Sequence, residues 1–122
     1  MITPMPDLRS RNDIDARLGL LQGTLDLLIL RTLRAQPRHG WSIAERIEQL
    51  SSGLLQANQG SLYPALHRLE HRGAVGAEWG VSELGRRARF YHLTARGRRQ
   101  LEREAVNWRR FAAAVAAILE QA

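Results

Sequence analysis

Residues 59–93, QGSLYPALHRLEHRGAVGAEWGVSELGRRARFYHL, change their hydrophobic period once, and that change decides the fold. Over 59–72, Leu62, Ala65, Leu66 and Leu69 share one side of a helix at about 100° per residue, whereas Gly60, Tyr63, Pro64, His67 and His71 share the other. Pro64 must lie in about the first turn, since deeper in a helix it removes a backbone bond and clashes. Gly73 reads as the helix C-cap. Beyond it Val75, Ala77, Trp79 and Val81 alternate with Gly76, Glu78 and Gly80, the pattern of a half-buried strand. Residues 82–87 read as a hairpin loop, and 88–93 return as a second strand through Phe90 and Tyr91.

Upstream, Leu21, Leu25, Leu28, Ile29, Thr32 and Leu33 have the spacing of an amphipathic helix that stops near Ala35, before Pro37 and Gly40. Ser42-Ile43-Ala44-Glu45 has the S-x-x-E form of a capping box and opens a second helix to about Ser52, burying Ile43, Ile47 and Leu50. Downstream, Thr94 caps a last helix to about Leu119, roughly 38 Å long at 1.5 Å per residue. The expected fold is mainly α with a minor β component: a winged helix-turn-helix with a two-stranded β-wing and a long C-terminal dimerisation helix. Its expected divisions are an N-terminal arm over 1–20 with a short helix over 13–20, a winged DNA-binding domain over 21–93, and the dimerisation helix over 94–122.

A chain of 122 residues is enough for one domain with a proper core. It has no cysteine, which excludes disulfides, thiolate zinc sites and a cysteine nucleophile. No apolar run, Leu27 to Leu30 included, approaches the ~20 residues of a membrane span, and the polar start lacks the pattern of a secretory signal. A cytoplasmic protein is expected.

All 18 basic residues are arginine, against 12 acidic residues, for a net charge of +6. Nine of them (86, 87, 89, 96, 98, 99, 103, 109 and 110) fall within 86–110 beside only Glu102 and Glu104, a local balance of +7 that leaves −1 for the rest. Such a concentration is the electrostatic footprint of a polyanion binder, although a solvated face gives the same run.

The stretches LQGTLDLLIL (21–30), His39-Gly40, QGSLYPALHRLE (59–70) and RRARFYHLT (86–94) resemble, in order and in register, the PadR family of transcriptional regulators. The resemblance covers about residues 21–110, with Trp41 where an aromatic Tyr is common. It implies a homodimeric, operator-binding regulator, commonly a repressor and in some members released by a small-molecule effector. In a helix-turn-helix the second helix of the motif enters the major groove, so Gln59, Ser61, Tyr63 and His67 face double-stranded DNA. Gln59 suits adenine and the Tyr63 hydroxyl suits a phosphate. Arg86 and Arg87 sit at the hairpin tip, within reach of an adjacent minor groove or backbone.

Leu101, Ala105, Trp108, Ala112, Val115 and Leu119 recur at spacings of four and three, with Phe111 and Ile118 beside them, an a/d stripe that either covers the chain's own winged domain or forms the seam of a helix pair. A second copy of the chain is the expected partner, since Phe111 and Ile118 widen the stripe, and the resemblance to the family implies Trp108 as the candidate wall of an effector pocket between the two copies. His67-Arg68-Leu69-Glu70-His71 matches an H-x-x-E-H zinc peptidase pattern formally, but a third ligand and a substrate cleft are lacking, so no metal, cofactor or enzymatic activity is expected. An RNA-binding or protein-interaction winged-helix module is the alternative reading.

Overall fold

The computed structural model describes residues 22–121. Its elements run α1 (Gln22–Ala35), β1 (Arg38–His39), α2 (Gly40–Leu50), α3 (Gln59–His71), β2 (Val75–Val81), β3 (Arg87–Leu93) and α4 (Ala95–Leu119). This is a winged helix-turn-helix with a long C-terminal helix. The expected arm over 1–20, its short helix over 13–20, and Leu21 lie outside the described residues.

Helix α1 is the centre of the packing, touching α2, α3, β3 and α4. Because it is surrounded, it buries a wider arc than its leucine stripe suggests: Asp26 and Leu30 are buried with Leu25, Ile29, Thr32 and Leu33, while Leu28 is only partly covered. The α3 stripe Leu62, Ala65, Leu66 and Leu69 closes on this core together with Ile43, Ile47 and Val75. After α3, Arg72 is the C-cap and Gly73 adopts φ +76°; the Gly73 N–H donates to Glu70 O at 3.0 Å and the Ala74 N–H to Leu69 O at 2.9 Å. This paired closure needs a left-handed residue at position 73, which favours glycine.

The wing is broader than two strands. Strand β1 pairs antiparallel with β3 through Arg38↔Tyr91 and His39↔Phe90, giving a sheet of order β1-β3-β2. A two-residue strand has no period to read. It also moves the start of α2: the helix begins at Gly40, two residues before the expected capping box, and His39 Nδ1 accepts the Ser42 N–H at 3.2 Å as its N-cap. Ser42 instead accepts from Arg38 Nη1 through its hydroxyl at 3.2 Å. At the far end α2 stops at Leu50, whose side chain is 53% exposed and not part of the core.

Two further expectations are corrected. Pro64 is the sixth residue of α3, in its second turn, and there it leaves the Gly60 carbonyl without its helical partner. Both residues are exposed, so water can satisfy that carbonyl. Trp79 and Val81 do not join the core, because the hairpin projects past the helices after Ala77.

Asp26 ties α1 to α3: its Oδ1 lies 3.3 Å from Arg68 Nη2. Burial raises its carboxyl above the ordinary 3.8, opposed by the Arg68 charge. Between 3.8 and the raised value the folded chain keeps a proton that the unfolded chain has released, so stability falls as pH rises through that window. Asp26→Asn is expected to flatten the melting temperature against pH there. Parallel wild-type and variant curves would exclude Asp26 as the source. Glu104, raised likewise by burial, leaves a residual slope of the same sign in both proteins.

Candidate nucleic-acid interface

Helix α3 starts at Gln59 because Asn58 caps it, with Oδ1 accepting the Ser61 N–H at 3.0 Å. With Leu62, Ala65, Leu66 and Leu69 buried, Gln59, Gly60, Tyr63, Pro64, His67 and His71 are left exposed, and Ser61 is half-buried beside them. Tyr63 is 44% exposed, but its ring leans on the start of α2: a Cβ added at Gly40 would lie 2.8 Å from both the ring and the hydroxyl. The side chain read from sequence as a phosphate contact is thus also the packing link between the two motif helices, and Gly40 makes room for it.

The wing turn is closed by Gly85 N–H donating to Ser82 O at 2.9 Å and Ser82 N–H donating to Arg86 O at 2.8 Å. Arg86 and Arg87 are exposed, Arg87 being the first residue of β3 and not part of the loop. The guanidinium carbon of Arg87 lies 4.6 Å from the centroid of the Trp79 ring. Arg89 is engaged differently, its Nη2 meeting Glu70 Oε2 of α3 at 2.7 Å. Glu83, in the wing turn, comes within 3.5 Å of His39 Nε2, and its carboxyl is lowered by a backbone hydrogen bond and by His39.

Between the wing and the start of α2, with Tyr63 of α3 in its wall, runs a cleft lined by Trp41, Tyr63, Trp79, Leu84, Arg86 and Arg87. The nine clustered arginines do not all belong to it. Arg86, Arg87 and Arg89 lie on or beside the hairpin, whereas the other six are strung along α4, with Arg110 about 21 Å beyond Arg96 by helical rise.

The α4 stripe divides in two. Thr94 Oγ1 accepts the Gly97 N–H at 3.0 Å as the helix cap, and Gly97, Gln100 and Leu101 are buried in the chain's own core. Leu101, expected at a dimer seam, is only 4% exposed and packs against the winged domain. Ala105 and Ala112 are half-buried, while Trp108, Phe111, Val115, Ile118 and Leu119 are exposed. The Trp108 and Phe111 rings lie 6.0 Å apart and, with Thr24, Leu27 and Glu104, line a groove between α4 and the start of α1.

The family profile "Transcriptional regulator PadR-like family" matches residues 29–103. The chain belongs to that family. A PadR-family transcriptional regulator from Eggerthella lenta is 28% identical, with a TM-score of 0.69 over 91% of this chain and 96% of that one. A transcriptional regulator from Clostridium thermocellum superposes with a TM-score of 0.75 at 22% identity, over 84% of this chain and 96% of that one, which speaks for the fold. An uncharacterized protein X from Lysinibacillus sphaericus is 27% identical over 75% of this chain and 84% of its own length.

Membership makes this PadR-like chain a DNA-binding regulator of transcription rather than an enzyme. In keeping with that, the H-x-x-E-H run is built into the regulator: His67 and His71 are on the outward face of α3 and Glu70 is held by Arg89. Among the described residues no group of three or more His, Asp or Glu side chains is placed to hold a metal, and no helix is long and apolar enough to cross a membrane. Of the residues lining this PadR-like cleft, the sequence did not single out Trp41 at the start of α2 or Trp79 and Leu84 of the wing. The alternation that set Trp79 with Val75 and Ala77 gives the face but not the point where the core ends; only its four-residue distance from Val75 hinted that it overhangs.

Proposed function

We propose that this PadR-like regulator acts as a homodimeric repressor, with two copies of α3 set in successive major grooves of a pseudo-palindromic operator and each wing laid on flanking DNA. The observation that carries this reading is the shared cleft, in which Tyr63 of α3 and Arg86 and Arg87 of the wing line one concavity and so address one duplex. In this reading Gln59, Ser61 and His67 face base edges, Tyr63 meets a phosphate, and half-sites lie about 34 Å apart or a multiple of that. The winged domain over 21–93 grips DNA. Ala105, Trp108, Ala112, Val115 and Leu119 form the seam with the second copy, and a small-molecule effector seated against Trp108 would act by altering the spacing of the two recognition helices.

Paired titrations on operator and scrambled duplex at fixed salt test it. Gln59→Ala or His67→Ala is expected to lose about 1–3 kcal/mol on the operator and much less on the scrambled duplex. Arg86→Ala with Arg87→Ala is expected to weaken both duplexes and to lower the salt slope by about 0.9 per lost phosphate contact. Equal losses on both duplexes for Gln59 and His67 would take base reading away from α3. Preferential binding of RNA over duplex DNA would favour the alternative module.

A further inference from the structure

We propose that Trp79 is a positioning residue of the wing: its ring is the platform that holds the Arg87 guanidinium ready for a DNA phosphate. The inference rests on the DNA reading above and names the part of the wing that sets the geometry of its contact.

Trp79 is 62% exposed, beyond the edge of the core, so folding alone gives no reason for a large ring there. In the register of the hairpin Trp79 stands opposite Arg89, and Arg87 stands opposite Val81. Arg87 therefore reaches diagonally across the strand pair to bring its guanidinium carbon 4.6 Å from the ring centroid. The direct cross-strand partner, Arg89, is neutralised by Glu70 at 2.7 Å. Among the described residues no carboxylate lies within ion-pair distance of Arg87. The two wing arginines on this face thus divide the work, one fastening the hairpin to α3 and one keeping its charge for a partner.

Stacking suits that second task. A guanidinium held against an aromatic face is bound through its π surface, so the N–H groups around its rim still point outward in the plane, where phosphate oxygens can accept them in pairs. The ring also removes rotamers that a free arginine would lose on binding. Lysine could not use the platform in this way, because an ammonium has no planar rim. The position agrees with the role: Trp79 and Arg87 together line the cleft that α3 shares with the wing.

The test compares Trp79→Leu, Trp79→Phe, Arg87→Ala and the double variant Trp79→Leu/Arg87→Ala in the full chain, titrated with a duplex of random sequence across a salt series. Trp79→Leu is expected to weaken binding about two- to five-fold, the size of an exposed cation–π contact, and to lower the salt slope toward that of Arg87→Ala. Trp79→Phe, which keeps a π face, is expected to recover most of the loss. In the Arg87→Ala background Trp79→Leu should have no further effect. A merely structural role would move the melting temperature and leave the salt slope alone. In the protein without DNA, the Arg87 side-chain Nε–H resonance should be shifted by the ring in wild type and lose that shift in Trp79→Leu.

Loss of affinity in Arg87→Ala with none in Trp79→Leu would overturn the platform and leave the wing contact standing. So would a Trp79→Leu loss of the same size with and without Arg87. A wild-type chain with no affinity for any duplex would overturn the DNA reading, and the platform with it, even if the resonance shift were present.

Discussion

Aspartate in place of Phe111 and Val115 is expected to turn the proposed homodimer into a monomer and to lower operator affinity about 10²- to 10⁴-fold. Helix α4 has 25 residues, yet its buried ones, Gly97, Gln100 and Leu101, all fall in its first two turns. The rest runs on with Phe111 57%, Ile118 71% and Leu119 78% exposed. A helical stretch without packing is marginal in water, and an apolar face this continuous is stabilised by a partner that covers it. Around a two-fold axis the same face meets itself, so each new carboxylate is brought near its symmetry mate and two buried apolar contacts become repulsive ones. Neither substitution touches the winged core, so the monomer should fold. Its loss of DNA affinity follows from linkage, since a tethered second recognition helix binds at high effective concentration and an untethered one does not. Sedimentation equilibrium and an operator titration read the two effects. A variant that still sediments as a dimer would remove this face from the interface.

The second large effect is on stability. Gly97→Ala is expected to destabilise the fold by about 3 kcal/mol, at the upper end for an overpacked site. Helix propensity alone predicts the opposite sign, since alanine is favoured over glycine inside a helix. Gly97 is buried in the first turn of α4, and a Cβ there would collide with the Ala74 carbonyl and come within 2.8 Å of Leu93 Cδ1. Backbone cannot swing aside as a side chain can. That carbonyl also accepts the Thr94 N–H at 3.2 Å and lies 2.9 Å from Thr94 Oγ1, so moving it disturbs the cap of the same helix. Gly23→Ala is the control, because a Cβ at Gly23 meets nothing within 4 Å. Denaturant unfolding should separate the two variants; equal midpoints would show that the β2–α4 junction yields easily.

Both effects lie where sequence and structure part company. The helix α3, its closure at Gly73, the strand over 75–81 and the Thr94 cap were legible because each is set by neighbours in sequence: a stripe, a left-handed residue, an alternation, a hydroxyl. What was not legible depends on distant partners. Leu101 and Val115 occupy equivalent places in one heptad pattern, yet the first is buried by its own chain and the second is exposed, because only tertiary packing says where the winged domain stops. His39 displaced the Ser42 capping box because β1 fixes its backbone against β3, a contact about 50 residues away in sequence. On the candidate interface the outward side of α3 followed from its period, while the approach of Arg87 to the Trp79 ring and the lean of Tyr63 on Gly40 did not.

The order β1-β3-β2 leaves β2 at the outside of the sheet, with a row of backbone donors and acceptors that no further strand satisfies among the described residues. An open row of this kind is a template on which other chains can add strands and begin to aggregate. The composition of β2 resists that. Gly76 and Gly80 lower its intrinsic taste for extended pairing, and Glu78 sets a charge in the middle of seven residues, so that copies laid side by side would repel. The projecting hairpin is in this way kept from becoming a nucleus for self-assembly, and replacing Glu78 by valine would shorten the lifetime of the protein in concentrated solution.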